Sequence, residues 1–185
     1  VKTLVVATGN PGKVRECAAV LTPAGFEVLG LDALADATPV EETGSTFEAN
    51  ARLKAEGYSM RTPHPVLADD SGLEVDALGG GPGVFSARYG GLDLTDAERC
   101  LVVLEALANT PDDKRGARFR CVLALAQAGR TLATFEGEVE GSIRKAPRGA
   151  NGFGYDPIFF HPVSGRAFAE LTREEKERVS HRGQA

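Results

Sequence analysis

Strands alternating with helices in the first half of the chain, followed by hairpin-like strands, predict an α/β fold built on a mixed sheet. Three observations carry that expectation. Two short β-rich runs, Leu4–Ala7 and Phe26–Leu29, flank a helical pattern from Val14 to Leu21. Three S/T-x-x-E boxes, beginning at Ser45, Thr95 and Thr172, announce helix N-termini. Two β-rich segments, Arg118–Ala126 and Thr131–Gly141, surround a turn at Ala128-Gly129-Arg130.

The first strand leads through Thr8-Gly9-Asn10-Pro11-Gly12-Lys13, a glycine loop, into the first helix. After the second strand, Asp36–Gly44 reads as a loop, and the box at Ser45 opens a helix running to about Met60. Leu67–Asp70 is an apolar run that reads as a buried strand, ending in the carboxylates Asp69 and Asp70. The run Gly79-Gly80-Gly81-Pro82-Gly83 excludes regular structure. The helix after Thr95 is expected to carry Leu101, Val102, Leu104 and Leu107 on its apolar side. A second glycine-rich stretch, Gly149–Gly154, precedes Tyr155-Asp156-Pro157. The last helix starts after Thr172 and runs towards Ser180-His181-Arg182, with Gly183 as its C-cap.

The chain's 185 residues fit one domain over 1–185, with room for two lobes. A hydrophobic content of 42% with 25% charged residues fits a soluble protein with a real core. The net charge of -5 excludes a broad basic footprint, so no nucleic-acid partner is expected, and a polyanionic ligand must be met by a local cluster of cations. Cys17, Cys100 and Cys121 are far apart and odd in number, and read as core thiols of a reducing compartment. No apolar run reaches membrane length, so no membrane partner and a cytoplasmic location are expected.

Four stretches carry chemistry. A glycine loop between strand and helix offers backbone N–H groups and a positive dipole end to phosphate, with Lys13 adding a point charge. It is not a Walker A loop, because Val14 stands where Ser or Thr would be. The same glycines could serve only the geometry of a tight turn. Asp69 and Asp70 would point to opposite faces of a strand, so one can serve as metal ligand or base while the other anchors locally. Glu41-Glu42 could supply a further carboxylate to a hard cation such as Mg²⁺; a solvated acidic turn is the alternative. On the last helix, Lys176 lies near Arg173, while Glu174, Glu175, Glu177 and Arg178 fit an exposed, salt-bridged face. Phe153, between two glycines, could stack on a planar base, and Asp156 could accept a hydrogen bond; Phe153 and Tyr155 could equally be core residues. Together these are parts of a site for a nucleotide polyphosphate with Mg²⁺.

ATGNPGK, EETGSTFEANARLKA, ADDSGLEVDALGGGPGVFSARY, GFGYDPIFF and ELTREEKERVSHRGQA, in that order, resemble the inosine/xanthosine triphosphate pyrophosphatase family over nearly the whole chain. The resemblance implies hydrolysis of deaminated purine nucleoside triphosphates (ITP, dITP, XTP) to the monophosphate and pyrophosphate. It implies an elongated mixed sheet with flanking helices and two lobes around a central substrate cleft, in a homodimer. It places Thr8, Gly9, Asn10, Pro11, Gly12, Lys13 and Lys54 on the triphosphate. Glu41 and Asp70 become Mg²⁺ ligands, Asp70 also the proton acceptor, and Ser71 a substrate contact. Phe153, Gly154, Tyr155, Asp156, Lys176, His181 and Arg182 complete the substrate site. The family pattern continues past SHRGQA into a further helix, which is expected to be missing from this chain. Rival readings are a pyrophosphatase for other modified nucleotides or dUTP, and a nucleotide sensor without turnover; the pairing of Glu41 with Asp70 argues against the sensor.

Overall fold

The computed structural model describes residues 2–185. In chain order the elements are β1 (Lys2–Ala7), α1 (Pro11–Leu21), β2 (Phe26–Leu29), α2 (Phe47–Ser59), β3 (Val66–Val75) and α3 (Asp96–Ala106), then β4 (Gly116–Gln127), β5 (Arg130–Ile143), β6 (Phe159–His161), β7 (Arg166–Ala167), α4 (Arg173–Val179) and α5 (His181–Gln184). The strands form one seven-stranded sheet in the order β2-β1-β3-β4-β5-β6-β7. β1 pairs in parallel with β2 and β3, whereas β6 pairs antiparallel with β5 and β7. The mixed α/β sheet expected from the sequence is therefore present.

The parallel part explains why Leu4–Ala7 is uninterruptedly apolar: all four residues are buried, as in a strand covered on both faces. The β4–β5 hairpin turns at Ala128-Gly129, where φ values of 50° and 76° give the two-residue turn whose twist suits paired strands. The chain divides into two compact units. One contains the residues up to Asp70 with Cys121–Gly137 and Ala185; the other contains Ser71–Arg120 and Glu138–Gln184. The first unit packs Leu4, Leu67, Cys121 and Leu123 together. The second is built around Leu73, Val103, Leu107, Phe119, Phe159 and Phe168, with the Phe119 and Phe159 rings 4.5 Å apart.

Several boundaries differ from the sequence expectation, each for a physical reason. α1 begins at Pro11 rather than Val14, because Asn10 caps it and Pro11 suits the first helical position. Gly12 and Lys13 are thus in the first turn of a helix. Thr46, not Ser45, caps α2: its hydroxyl accepts from the Ala49 amide at 3.1 Å, and Glu48 instead pairs with Arg52. The boxes at Thr95 and Thr172 form with both reciprocal bonds. β3 does not end at Asp70 but continues to Val75, so the acidic pair lies within a strand. In α3 the buried stripe is Cys100, Val103 and Leu107, with Leu104 partly buried, and Leu101 is exposed. That stripe follows the i, i+3, i+4, i+7 spacing, from which Leu101 is one position off. α4 stops at Val179 because Ser180 is extended; Gly183 lies inside α5 and is not its cap.

Candidate active site

In the first unit, β3 presents two carboxylates to lysines from two helices. Asp69 is 1% exposed; its Oδ1 makes an ion pair with Nζ of Lys13, on α1, and its Oδ2 accepts from the Cys121 thiol at 3.1 Å. Asp69 is thus the local anchor of the pair. Asp70 is also buried, and its Oδ1 lies 3.3 Å from Nζ of Lys54, on α2. The same ammonium lies 3.1 Å from Oε2 of Glu42. Glu41 is exposed, so the loop brings Glu42 rather than Glu41 to Lys54. The two residues are adjacent, and nothing in their sequence separates these roles.

Burial raises the pKa of Asp70; Lys54 pulls it down, but the charge of Glu42 adds to the rise. Lys54 shows the opposite balance: burial disfavours its charge, yet Asp70, Glu42 and Asp69 outweigh burial and raise its pKa. Three carboxylates face two ammonium groups here, leaving an excess of one negative charge. Oδ2 of Asp70 is buried and has no hydrogen-bond partner among the described residues. An all-oxygen donor set, surplus negative charge and an unsatisfied buried carboxylate oxygen suit a hard divalent cation. Among the described residues no group of three or more His, Cys, Asp or Glu side chains is arranged to hold a metal ion by itself. The fit is therefore to a cation held by one or two carboxylates plus ligand oxygens, as is usual for Mg²⁺.

The loop before α1 is partly committed. Asn10 Oδ1 accepts from the amides of Gly12 (2.8 Å) and Lys13 (3.4 Å), and Thr8 Oγ1 accepts from the Asn10 amide. Pro11 has no N–H, so an anion can take these first-turn donors only when Asn10 gives them up. A Cβ at Gly9 would meet nothing within 4 Å, which leaves open space beside the loop backbone.

The second unit gathers the other group. Arg182 donates from Nη2 to Ser71 Oγ at 2.9 Å, and its guanidinium lies 5.8 Å from the centre of the Phe153 ring. Lys176 is buried, not part of an exposed face; its Nζ lies 2.6 Å from Asp156 Oδ2 and 4.5 Å from the Phe153 ring centre. The same Asp156 oxygen accepts from the Phe153 amide at 3.0 Å. Gly152 is required here: its φ is +74°, and a Cβ would fall 2.0 Å from Asp156 Oδ2. His181 is buried and stacks on Phe119, the rings 4.9 Å apart. Gly154 donates its amide to Asp96 at 2.7 Å. Tyr155 sits in the apolar core, its hydroxyl donating to the Ser86 carbonyl at 2.7 Å. Of the two readings of the aromatics, Tyr155 takes the core one. Phe153 is only partly buried and carries two cations on its ring.

The Ham1 family profile matches residues 4–185. This chain belongs to the Ham1 family. A dITP/XTP pyrophosphatase of Geobacillus kaustophilus is 53% identical over 184 residues, covering 100% of this chain and 90% of the relative. One from Thermus thermophilus is 53% identical over 182 residues, covering 98% and 87%. The structure of the Staphylococcus aureus Ham1 protein superposes with a TM-score of 0.86 at 42% identity, covering 100% of this chain and 94% of that one. A HAM1 protein from Coxiella burnetii gives a TM-score of 0.85 at 44% identity, with the same coverage. Sequence reasoning reached this family and named Glu41-Glu42 as carboxylates, but it missed three pairings: Glu42 rather than Glu41 with Lys54, Cys121 as donor to Asp69, and Lys176 with Asp156. None of the three had a local signal, because the partners lie 12, 52 and 20 residues apart in sequence.

Proposed function

We propose that this Ham1 family member hydrolyses deaminated purine nucleoside triphosphates (ITP, dITP and XTP) to the nucleoside monophosphate and pyrophosphate. The observation that carries the reading is the buried Asp70, with one oxygen on Lys54 and the other unsatisfied, beside a second carboxylate–lysine pair. The names of the relatives in Geobacillus and Thermus support the same substrate class.

Lys13 and Lys54 bind the triphosphate and offset the charge that grows on the departing pyrophosphate. Asp69 holds Lys13 in place through their ion pair. Asp70, whose proton affinity is raised by burial, orients the attacking water and takes its proton as the water adds to the α-phosphorus in line. Asp70, with Glu41 or Glu42, would hold Mg²⁺, which when bound supplies further charge neutralisation on the phosphate oxygens. Glu42 is engaged by Lys54, whereas Glu41 makes no ion pair among the described residues and is the carboxylate at liberty to bind.

Base recognition is carried over from the family resemblance. Phe153 supplies a ring for stacking, and Arg182 or His181 donates to the purine C6 oxygen. Adenine carries an amino group there, so the donor would be left unpaired, a discrimination of about 10⁴. We assign the enzyme to the cytoplasmic nucleotide pool as a homodimer. No helix among the described residues is long and apolar enough to cross a membrane.

Product analysis with Mg²⁺ and a panel of ITP, dITP, XTP, ATP, GTP and dUTP tests the reading. Pyrophosphate released chiefly from the first three is expected. Orthophosphate as first product, or preference for dUTP, overturns it.

A further inference from the structure

We propose that the second unit carries an additional anion-binding pocket, which takes a phosphate-class oxyanion: inorganic phosphate or pyrophosphate. A cavity of about 360 Å³ is lined by Arg115, Arg144, Lys145, Arg148, Asp112 and Phe160, among others. None of the residues assigned above to substrate or metal lines it. Four cations stand against one carboxylate, in a protein whose overall charge is -5. Such a local concentration of positive charge needs a reason, because its members repel one another.

The floor is a buried cation with neutral partners. Arg115 is 3% exposed and donates to the carbonyls of Ile143 (2.8 Å), Leu107 (2.7 Å), Thr110 (3.3 Å) and Arg144 (3.0 Å). Among the described residues it has no carboxylate within 4 Å, so its charge is held rigidly and is not cancelled by contact. Arg144 is the contact residue. Its guanidinium stacks on Phe160, 4.3 Å from the ring centre, and its Nε is buried with no hydrogen-bond partner. A buried guanidinium N–H without an acceptor is costly, and an anionic oxygen is its natural partner. The main chain beneath both arginines is held: the Arg144 amide donates to the Ile158 carbonyl and the Arg148 amide to the Pro157 carbonyl, each at 2.8 Å. Arg148 makes no ion pair among the described residues. The single acid, Asp112, is spent on Lys145 at 2.7 Å, in a pair exposed enough to open at little cost. An aromatic wall, an arginine stacked on it and a second, exposed arginine without an ion pair among the described residues suit a tetrahedral oxyanion rather than a cation or an apolar ligand.

Calorimetric titration of the protein with pyrophosphate, and separately with phosphate, in metal-free buffer tests the proposal. Saturable binding that persists in Lys13→Ala is expected. Arg144→Gln/Arg148→Gln should weaken it by about tenfold or more, the loss of charge-assisted contacts, with kcat/KM for ITP within about twofold of the parent. Tighter binding of pyrophosphate would mark two phosphate groups as the ligand, and equal affinity a single one. If the double variant does not fold, Arg148→Gln alone, at an exposed side chain, should weaken binding by about threefold. No saturable binding by the parent, unchanged affinity in the folded variants, or a parallel loss of ITP hydrolysis would each overturn the proposal.

Discussion

Asp70 is the residue on which the account turns, and its setting makes opposite demands on activity and stability. Its charge is disfavoured by burial and by Glu42, so the ionised carboxylate is held at some cost to the fold. Asp70→Asn is therefore expected to lower ITP turnover by about 10²–10⁴ while leaving the melting temperature of the metal-free protein no lower. Lys54 keeps Glu42 as its partner in that variant. Steady-state kinetics beside thermal unfolding checks both halves, and near-parental turnover would remove Asp70 from the reaction. ADDSG alone left a metal or base site and a solvated acidic turn both open; the burial of both carboxylates removes the solvated turn. The position of the pair was not legible: an apolar run followed by two Asp reads as a strand end, whereas the lysines of α1 and α2 neutralise the pair and let β3 run on. Those lysines are 56 and 16 residues away in sequence, which no local pattern connects.

At the scale of elements, the joint between α4 and α5 holds Arg182 and His181 in place. Ser180 breaks the helix, and its hydroxyl accepts from the Gly183 amide at 3.1 Å. A Cβ at Gly183 would lie 1.8 Å from the Glu177 carbonyl oxygen, which is backbone and cannot swing aside. Gly183→Ala is expected to cost roughly 1–3 kcal/mol and to raise KM for ITP more than it lowers kcat, since Arg182 shifts with the joint. Denaturant unfolding and kinetics on the same sample check this; parental stability would contradict it. Helix starts were readable where a box could form without competition, as at Thr95 and Thr172. At Ser45-Thr46 two hydroxyls compete for one cap. Thr46 takes it, while Asn50 Oδ1 receives the Gly44 amide at 2.8 Å. The break at Ser180 left no signal, because a serine in a charged helical run usually faces solvent.

Across the whole molecule, stability should fall on the acid side through a residue remote from the chemistry. His161, in β6, is buried, and burial lowers its pKa. The unfolded chain titrates this histidine near its ordinary value of about 6.5. The neutral form is therefore favoured by folding: its contribution is complete above about pH 6.5 and is lost as pH falls through the lower, folded value. His161→Gln is expected to flatten the decline in melting temperature below about pH 6.5, and an unchanged acid slope would contradict this. The mixed sheet was legible because parallel strands are apolar throughout and the hairpin announces its turn. The division into two units was not readable from composition, because β3, β4 and β5 each pass from one unit to the other without a linker. On the proposed mechanism, water activated at Asp70 attacks the α-phosphorus. Hydrolysis of ITP in ¹⁸O-labelled water, with both products analysed by mass spectrometry, tests it most directly. The label should appear in the phosphate of the monophosphate and not in pyrophosphate; label in pyrophosphate, or in orthophosphate released first, would contradict the account.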